Sequence, residues 1–325
     1  MSYKKWLAPA VALLALLIAP HGLPGAWTDW IPSGTRETLS GIQQDMLLQA
    51  QDVLALPDEE VTLEARLLQE PDFAARPGVT AQFLRDGTVF ASQVTGTDGY
   101  ARAKFKPPKA GDYLFTVRSD QREATLLVAV REAKTPITVI DMDDTLVASG
   151  FAKVIFGEPA MMPGSVDVVK RLAKDYTIIY LTHRPEYFAA RSKVWLKKHE
   201  YPQGPVLTST ISGFLKGSGE FKSTKLRELS QKFKNLKIGI GDKMSDAQAY
   251  HANGMRAILI LPVKADAKPK DLIELAARLD GLSDDVDVVR NWQQVQAAIY
   301  ENKRFPPKQA ADDLMRMVPA RNDSQ

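Results

Sequence analysis

Three acidic side chains follow directly on an apolar run near the middle of the chain. The run is Ile137-Thr-Val-Ile140, it comes after Pro136, and the acids are Asp141, Asp143 and Asp144. A β-branched apolar run of this kind predicts a strand that is buried on both faces, as in a parallel sheet. Because carboxylates at one strand end repel one another, the group indicates a bound cation or a role in handling phosphate.

Further polar side chains follow two later apolar runs. Thr182 comes after the second run, Asp242 and Asp246 come after the third, and Lys222 lies in a basic helix between them. Open α/β sheets bind their ligands beyond the carboxyl ends of the strands. We therefore expect these four residues to meet Asp141 in one crevice.

The residue types in this crevice suit phosphate chemistry. Asp141 and Asp242 can share a hard divalent cation, and Mg²⁺ is the usual ion where oxygen ligands lie beside a phosphate. Lys222 and the Thr182 hydroxyl can donate hydrogen bonds to the phosphoryl oxygens. With Asp141 as nucleophile, Asp143 is placed to protonate the leaving oxygen and then to activate water against an aspartyl-phosphate.

Several neighbouring side chains keep more than one interpretation. Asp246 either lies beside the metal, which we favour, or balances the charge of a helix N-terminus. Asp144 is interpreted as a helix cap or as a support for the site. Arg184 can bind a substrate phosphate or form a surface salt bridge. Lys225 competes with Lys222 for the phosphate, and Lys222 is preferred because it lies closer to the helix start.

The same residues carry a family resemblance across residues 136–262. They resemble the four ordered motifs of the haloacid dehalogenase superfamily, and Asp143 matches its phosphatase branch. The resemblance implies a Mg²⁺-dependent phosphatase in which Asp143 meets the metal through its backbone carbonyl and keeps its carboxyl free for proton transfer. The motifs are Asp141-Met-Asp-Asp-Thr-Leu146, Thr182, Lys222 and Gly241-Asp-Lys-Met-Ser-Asp246, and the implied metal ligands are Asp141, Asp143, Asp242 and Asp246.

Longer stretches of the same region carry a narrower resemblance. These stretches are similar to the catalytic domain of lipins, to the actin-patch phosphatidate phosphatases, and to the related domain of phosphatidylinositol-transfer proteins. This resemblance implies a protein that acts on, or binds, phosphatidic acid. Asp144 stands where lipins have glycine, and Asp242 stands where they have asparagine. The stretches are Tyr180-Leu-Thr-His-Arg-Pro185, Val194-Trp-Leu-Lys197, Tyr201-Pro-Gln-Gly-Pro-Val-Leu207, Phe221-Lys222 and Gly241-Asp-Lys-Met-Ser-Asp-Ala-Gln-Ala-Tyr250.

The pattern of strands and helices that must position these residues indicates an α/β domain over residues 136–305. Strands alternate with helices there, which indicates a doubly wound, Rossmann-like parallel sheet of the haloacid dehalogenase-like kind. The stretches 144–176 and 182–222 are too short for a folded cap domain. An uncapped crevice suits a bulky, membrane-bound or macromolecular substrate, since small substrates usually need a lid that excludes water.

Residues 58–132 change to a period of two, and turns such as Asp86-Gly87 and Asp98-Gly99 separate the runs. Short strands at this spacing predict an N-terminal all-β sandwich. The stretch Gly96–Phe105, with Lys109–Val117, resembles bacterial immunoglobulin-like surface domains. That resemblance implies a spacer or adhesion module without a catalytic set.

The chain ends have their own predictions. Lys4 and Lys5 precede the apolar stretch 6–19, so residues 1–26 are interpreted as a signal peptide or a retained signal anchor. Either would export the protein, leaving it periplasmic or membrane-anchored and facing away from the cytoplasm. Residues 27–57 are interpreted as a linker and an amphipathic helix, and residues 306–325 as a solvated tail.

The whole chain narrows the function further. A net charge of +3 over 325 residues gives no case for nucleic acid, and the absence of cysteine excludes disulfides and Cys nucleophiles. The predicted function is Mg²⁺-dependent phosphomonoester hydrolysis, with phosphatidic acid or another lipid phosphate in a membrane as the expected substrate. The alternatives are a non-catalytic phospholipid-binding module, or a phosphatase of soluble nucleotides or sugar phosphates.

Overall fold

The computed structural model describes residues 46–69, 74–149, 159–210, 213–214, 217–263 and 267–318. The chain divides into two units, residues 1–130 and residues 131–325. The predicted signal segment and residues 27–45 lie outside the described part of the chain. No helix within the described ranges is long and apolar enough to cross a membrane.

The first unit is built from strands whose side chains alternate between core and solvent. The strands are β1 (Met46–Ala50), β2 (Val53–Ala55), β3 (Val61–Gln69), β4 (Ala74–Ala75), β5 (Thr80–Arg85), β6 (Thr88–Val94), β7 (Tyr100–Phe105), β8 (Gly111–Ser119) and β9 (Arg122–Val130). One sheet has the order β1-β3-β4 with β7 also paired to β3, and the other has the order β2-β9-β8-β5-β6. Both sheets contribute to one apolar core, for example through Leu63 and Phe115.

The amphipathic helix predicted within residues 27–57 is wrong over its described part, because residues 46–50 and 53–55 are strands. β1 pairs antiparallel with β3 and β2 pairs parallel with β9, and the side chain of Leu48 is buried. The apolar residues here are closely spaced and fit either period, so pairing with distant strands decides the structure. The β unit therefore begins before residue 58.

The second unit contains a sheet of parallel strands with helices between them. The strands are β10 (Ile137–Ile140), β11 (Thr177–Pro185), β12 (Val206–Ser209), β13 (Leu236–Gly241), β14 (Arg256–Ile260) and β15 (Asp287–Val289). The helices are α1 (Ser165–Leu172), α2 (Ala189–Lys198), α3 (Ser218–Lys232), α4 (Met244–Ala252), α5 (Pro269–Leu279), α6 (Trp292–Tyr300) and α7 (Pro307–Arg316), and a 3-10 turn (Glu186–Phe188) precedes α2.

The strand order of this sheet locates its ligand crevice. The order is β12-β11-β10-β13-β14-β15, and every neighbouring pair is parallel. Counted from β10, this is the 3-2-1-4-5-6 order of a doubly wound Rossmann-like sheet, which reverses between β10 and β13. The prediction of a parallel α/β sheet is confirmed. The four residues of β10 are all buried, as their continuous apolar pattern predicted.

The segment predicted as a solvated tail instead contains α7. Ala310, Ala311 and Leu314 lie on one face of this helix and are buried, and α7 packs against α5. Pro307 occupies the first turn, where its missing N–H costs nothing. Three apolar residues among many charges gave too weak a pattern for a helix to be predicted, and residues 319–325 lie outside the described part.

Candidate functional site

The crevice between β10 and β13 brings Asp141 and Asp242 together. Each aspartate follows the last residue of its strand, and the backbone N–H of Asp141 donates a 2.9 Å hydrogen bond to the carbonyl of Ile240. Asp246 approaches from the first turn of α4, and Gly241 makes room for it. A Cβ atom on Gly241 would lie 2.7 Å from Asp246 Oδ2, so a larger residue would displace that carboxylate.

A tight turn after β10 fixes the direction of the first acids. The Met142 carbonyl accepts hydrogen bonds from the N–H groups of Leu146 and Val147, both at 2.9 Å. Asp144 lies within this turn at a φ of 55°, which is the left-handed region. Glycine, asparagine and aspartate adopt this region most readily. This conformation explains how Asp144 can stand where lipins have glycine.

The acidic cluster consists of Asp141, Asp242 and Asp246. Each offers one carboxylate oxygen, and these oxygens lie within 4.8 Å of one another. Lys222 reaches the cluster from α3, with its Nζ 3.0 Å from Asp141 Oδ2 and 2.6 Å from Asp246 Oδ2. The Lys222 side chain is fully buried. Its ammonium group therefore pairs with the carboxylates and not with water.

Burial and mutual repulsion change the proton affinities of the acidic cluster. Burial, and then the charge of Asp141, raise the pKa of Asp242 to about 8. Burial also raises the pKa of Asp246, against the opposing effect of Lys222. For Lys222, burial acts to lower the pKa, but the nearby carboxylates outweigh it and the pKa is raised. The lysine thus stays charged, while the carboxylates lack sufficient positive charge.

Two oxygens of the acidic cluster are left over for a cation. Asp242 Oδ1 and Asp246 Oδ1 are buried and have no hydrogen-bond partner among the described residues. Buried carboxylate oxygens without a donor are costly unless another group satisfies them. Hard oxygen ligands at this spacing suit Mg²⁺. The donor set therefore fits the ion predicted from the sequence.

The carboxylate of Asp143 pairs with Arg184 and is not among the three carboxylates of the acidic cluster. Arg184 donates to both of its carboxylate oxygens, from Nε at 3.0 Å and from Nη2 at 2.7 Å. The Arg184 side chain is 1% exposed, and its Nη1 donates to Ser192 at 2.9 Å. A surface salt bridge is thus the wrong description of Arg184. This two-pronged pair occupies both oxygens of the carboxylate that the family resemblance implied to be free for proton transfer.

The two remaining predicted residues, Thr182 and Lys225, differ in burial. Thr182 is buried within β11, three residues before the strand ends at Pro185, and its Oγ1 accepts a 3.3 Å hydrogen bond from the backbone N–H of Arg184. Lys225 pairs with Glu228 at 2.6 Å on the exposed side of α3. Of the two candidate lysines, Lys222 is the one that contacts the acidic cluster.

His183 and Ser192 were not among the predicted site residues. His183 stacks on Phe214 with ring centroids 4.7 Å apart, and its Nε2 is buried without a partner in the described ranges. Burial lowers its pKa, and the charges of Lys243 and Lys222 lower it further. The position of His183 directly after Thr182 was an available signal. The contact of Ser192 with Arg184 left no signal in the sequence.

The fold and the acidic cluster define the class of the second unit: a Rossmann-like α/β domain with a carboxylate site at the strand switch point. Residues 138–263 match the family described as "PITM 1-3, LNS2 domain". This agrees with the resemblance to phosphatidylinositol-transfer proteins that the sequence motifs gave.

Three curated relatives are similar over much of the chain. The human membrane-associated phosphatidylinositol transfer protein 3 is 27% identical over 258 residues, covering 74% of this chain and 25% of its own length. The human protein 1 is 27% identical, covering 68% of this chain and 17% of its own length. Drosophila melanogaster protein retinal degeneration B is 26% identical, covering 70% of this chain and 19% of its own length. This chain spans a quarter or less of the length of these relatives.

Similarity to solved structures is weak. The D00-D0 domain of Intimin has a TM-score of 0.23 and 16% identity, covering 28% of this chain and 48% of that chain. A score of this size does not establish a shared fold. The resemblance of the β unit to bacterial immunoglobulin-like domains is therefore not supported.

The interpretation of this chain as a phosphatase is wrong in light of its relatives. The human proteins 1 and 3 are named as phosphatidylinositol transfer proteins, a name that describes lipid transfer and not phosphate hydrolysis. The contact between Asp143 and Arg184 gives a physical reason for the correction. The sequence contains both acids of the phosphatase motif, Asp141 and Asp143. In the structure the carboxylate of Asp143 is paired with the buried guanidinium group of Arg184.

Proposed function

We propose that the second unit is a non-catalytic phospholipid-binding module that holds a headgroup phosphate beside a Mg²⁺ ion. The names of the relatives support the lipid, since they are membrane-associated phosphatidylinositol transfer proteins. The observation that carries the proposal is that three of the four acids make up the acidic cluster, whereas the fourth, Asp143, is paired with an arginine. Asp141, Asp242 and Asp246 form a cluster with oxygens left for a cation, while Asp143 is held by Arg184.

Charge favours a cation beside the phosphate. In their ionised forms Asp141, Asp242 and Asp246 place three negative charges in the crevice, and Lys222 contacts only two of them. A phosphate that approached this cluster alone would meet a negative field. When bound, Mg²⁺ would supply a positive charge that a phosphate oxygen can ligate.

The chain's own groups then prepare the crevice for the headgroup. Lys222 holds Asp141 and Asp246 in place through Nζ, so their outward oxygens keep a fixed direction. Arg184 donates to both oxygens of the Asp143 carboxylate, the group that would otherwise protonate a leaving oxygen. The module would therefore retain a phosphomonoester headgroup, such as that of phosphatidic acid, without cleaving it.

Flotation of the full chain with lipid vesicles tests this proposal. We expect more binding to phosphatidylcholine vesicles that contain phosphatidic acid than to phosphatidylcholine alone, with Mg²⁺ present and not with a chelator. Any binding through the N-terminal apolar segment would be common to both vesicles, so their difference isolates the headgroup.

Two matched variants make the flotation test specific. Asp242→Ala should remove the difference between the vesicles, because it takes a ligand oxygen from the acidic cluster. Asp312→Ala, at an exposed position of α7, should keep the difference. Selective binding that persists in the chelator, or in Asp242→Ala, would refute the proposed site.

A further inference from the structure

A cavity of about 380 Å³ lies directly beside the acidic cluster and shares Asp242 with it. Its walls come from the start of α4, from the residue that follows β14, and from one side of α5. Ligand pockets in proteins usually measure about 300–1,000 Å³, so this one has room for part of a lipid. Besides Asp242, the residues that line the cavity include Lys243, Met244, Leu261, Leu275 and Arg278.

The lining of this cavity is divided by polarity. Met244, Leu261 and Leu275 are half-buried and give it an apolar wall. Lys243 and Arg278 are exposed and line the same cavity. Apolar carbon inside and positive charge at the rim match an anionic amphiphile, which has an apolar body and a negatively charged head.

We propose that this cavity holds the glycerol and the first acyl carbons of the phospholipid whose phosphate lies at the acidic cluster. The inference rests on the proposed function, because Asp242 then borders both the phosphate and the apolar wall. Lys243 and Arg278 attract the anionic headgroup region, and Leu275 contacts the hydrocarbon. The module would thus recognise a lipid by its body as well as by its phosphate.

The test compares two soluble ligands by titration calorimetry with the full chain and Mg²⁺. Glycerol 3-phosphate carries the phosphate and the glycerol, and dihexanoyl phosphatidic acid adds two short acyl chains, so the two ligands differ only in the hydrocarbon that Leu275 contacts. Leu275→Ala should weaken binding of the dihexanoyl lipid about fourfold for each methylene that loses its contact, and Leu275→Glu, which also places a charge against the hydrocarbon, should weaken it at least as much. Neither change should alter the affinity for glycerol 3-phosphate.

Ile273→Glu is the matched control. Ile273 lies on the same helix, is 45% exposed and does not line the cavity. Ile273→Glu adds the same negative charge as Leu275→Glu. Unchanged lipid binding in Ile273→Glu therefore excludes general charge repulsion as the cause of weaker binding in Leu275→Glu. Melting temperatures near that of the parent protein, for Leu275→Ala above all, confirm that the variants fold.

The outcomes separate the inference from the proposed function. Equal affinity of Leu275→Glu and the parent protein for the dihexanoyl lipid would overturn the acyl subsite and leave the phosphate site standing. An equal loss for both ligands would also overturn it, since the change would then act on the phosphate. Failure of the parent protein to bind either ligand in Mg²⁺ would overturn the proposed function as well.

Discussion

At the scale of single residues, the buried contact of Lys222 with Asp141 and Asp246 determines how the crevice can exist. A buried carboxylate without a counter-charge is costly, and breaking a buried ion pair on one side typically costs about 3–5 kcal/mol. Lys222 has no exposed surface, so water cannot replace it. The lysine is therefore a structural requirement of the acidic cluster.

Replacing this lysine should reveal that cost. Lys222→Met keeps the apolar stem and removes the charge, so we expect a loss of about 3–5 kcal/mol in the free energy of unfolding without metal. Lys225→Met, from the exposed pair with Glu228, should change it by less than about 0.5 kcal/mol. Denaturant unfolding measures both. Similar values for the two variants would contradict the role of Lys222.

Asp242 should make the effect of Mg²⁺ on stability depend on pH. Its pKa in the folded protein is about 8, raised from 3.8 by burial and Asp141. A raised pKa means that this group favours folding at low pH and that the metal-free fold loses stability as pH rises towards 8. Mg²⁺ needs the carboxylate form, so it competes with the proton.

We therefore expect Mg²⁺ to raise the melting temperature more at about pH 8.5 than at about pH 6. Differential scanning calorimetry at both pH values, with and without the ion, measures this difference. Asp242→Asn cannot titrate and should show a smaller dependence of the Mg²⁺ effect on pH. An increase in melting temperature that is larger at the lower pH would contradict the assignment.

At the scale of elements, the close approach between the end of β13 and the start of α4 sets the position of the acidic cluster. Gly241 ends the strand, and Asp246 lies against it at a distance that leaves no room for a Cβ atom. Such contact between a glycine and a helix turn is what allows two strand ends and one helix to supply ligands to a single ion.

Gly241→Ala should displace Asp246 and weaken the cation site. We expect a loss of about 1–3 kcal/mol in the free energy of unfolding, and weaker Mg²⁺ binding by calorimetry. Gly281→Ala is a suitable control, because the nearest atom to a Cβ there is a backbone oxygen at 3.6 Å. If Gly241→Ala binds Mg²⁺ as the parent protein does, Asp246 is not held in the way described.

Element by element, the sequence predicted the parts that depend on local pattern. Asp141 and Asp242 could be placed together because each ends an apolar strand and parallel strand ends meet at one edge. The contact of Asp143 with Arg184 could not be predicted, since it joins residues 41 positions apart. The strands of residues 46–55 were missed for a related reason, because their partners lie in β3 and β9.

At the scale of the whole molecule, the similarity to the transfer proteins extends beyond the α/β unit. The family match covers residues 138–263. The alignment with human protein 3 covers 74% of the chain, which is more than the 131–325 unit contains. The aligned stretch therefore includes part of the β unit.

The central claim is that the crevice binds a lipid phosphate with Mg²⁺ and does not hydrolyse it. Phosphorus-31 NMR of dihexanoyl phosphatidic acid with the full chain and Mg²⁺ observes both events in one sample. The account predicts that the phosphomonoester signal shifts or broadens, that a chelator reverses this, and that no inorganic phosphate signal grows. A growing inorganic phosphate signal that Asp141→Asn abolishes would contradict it.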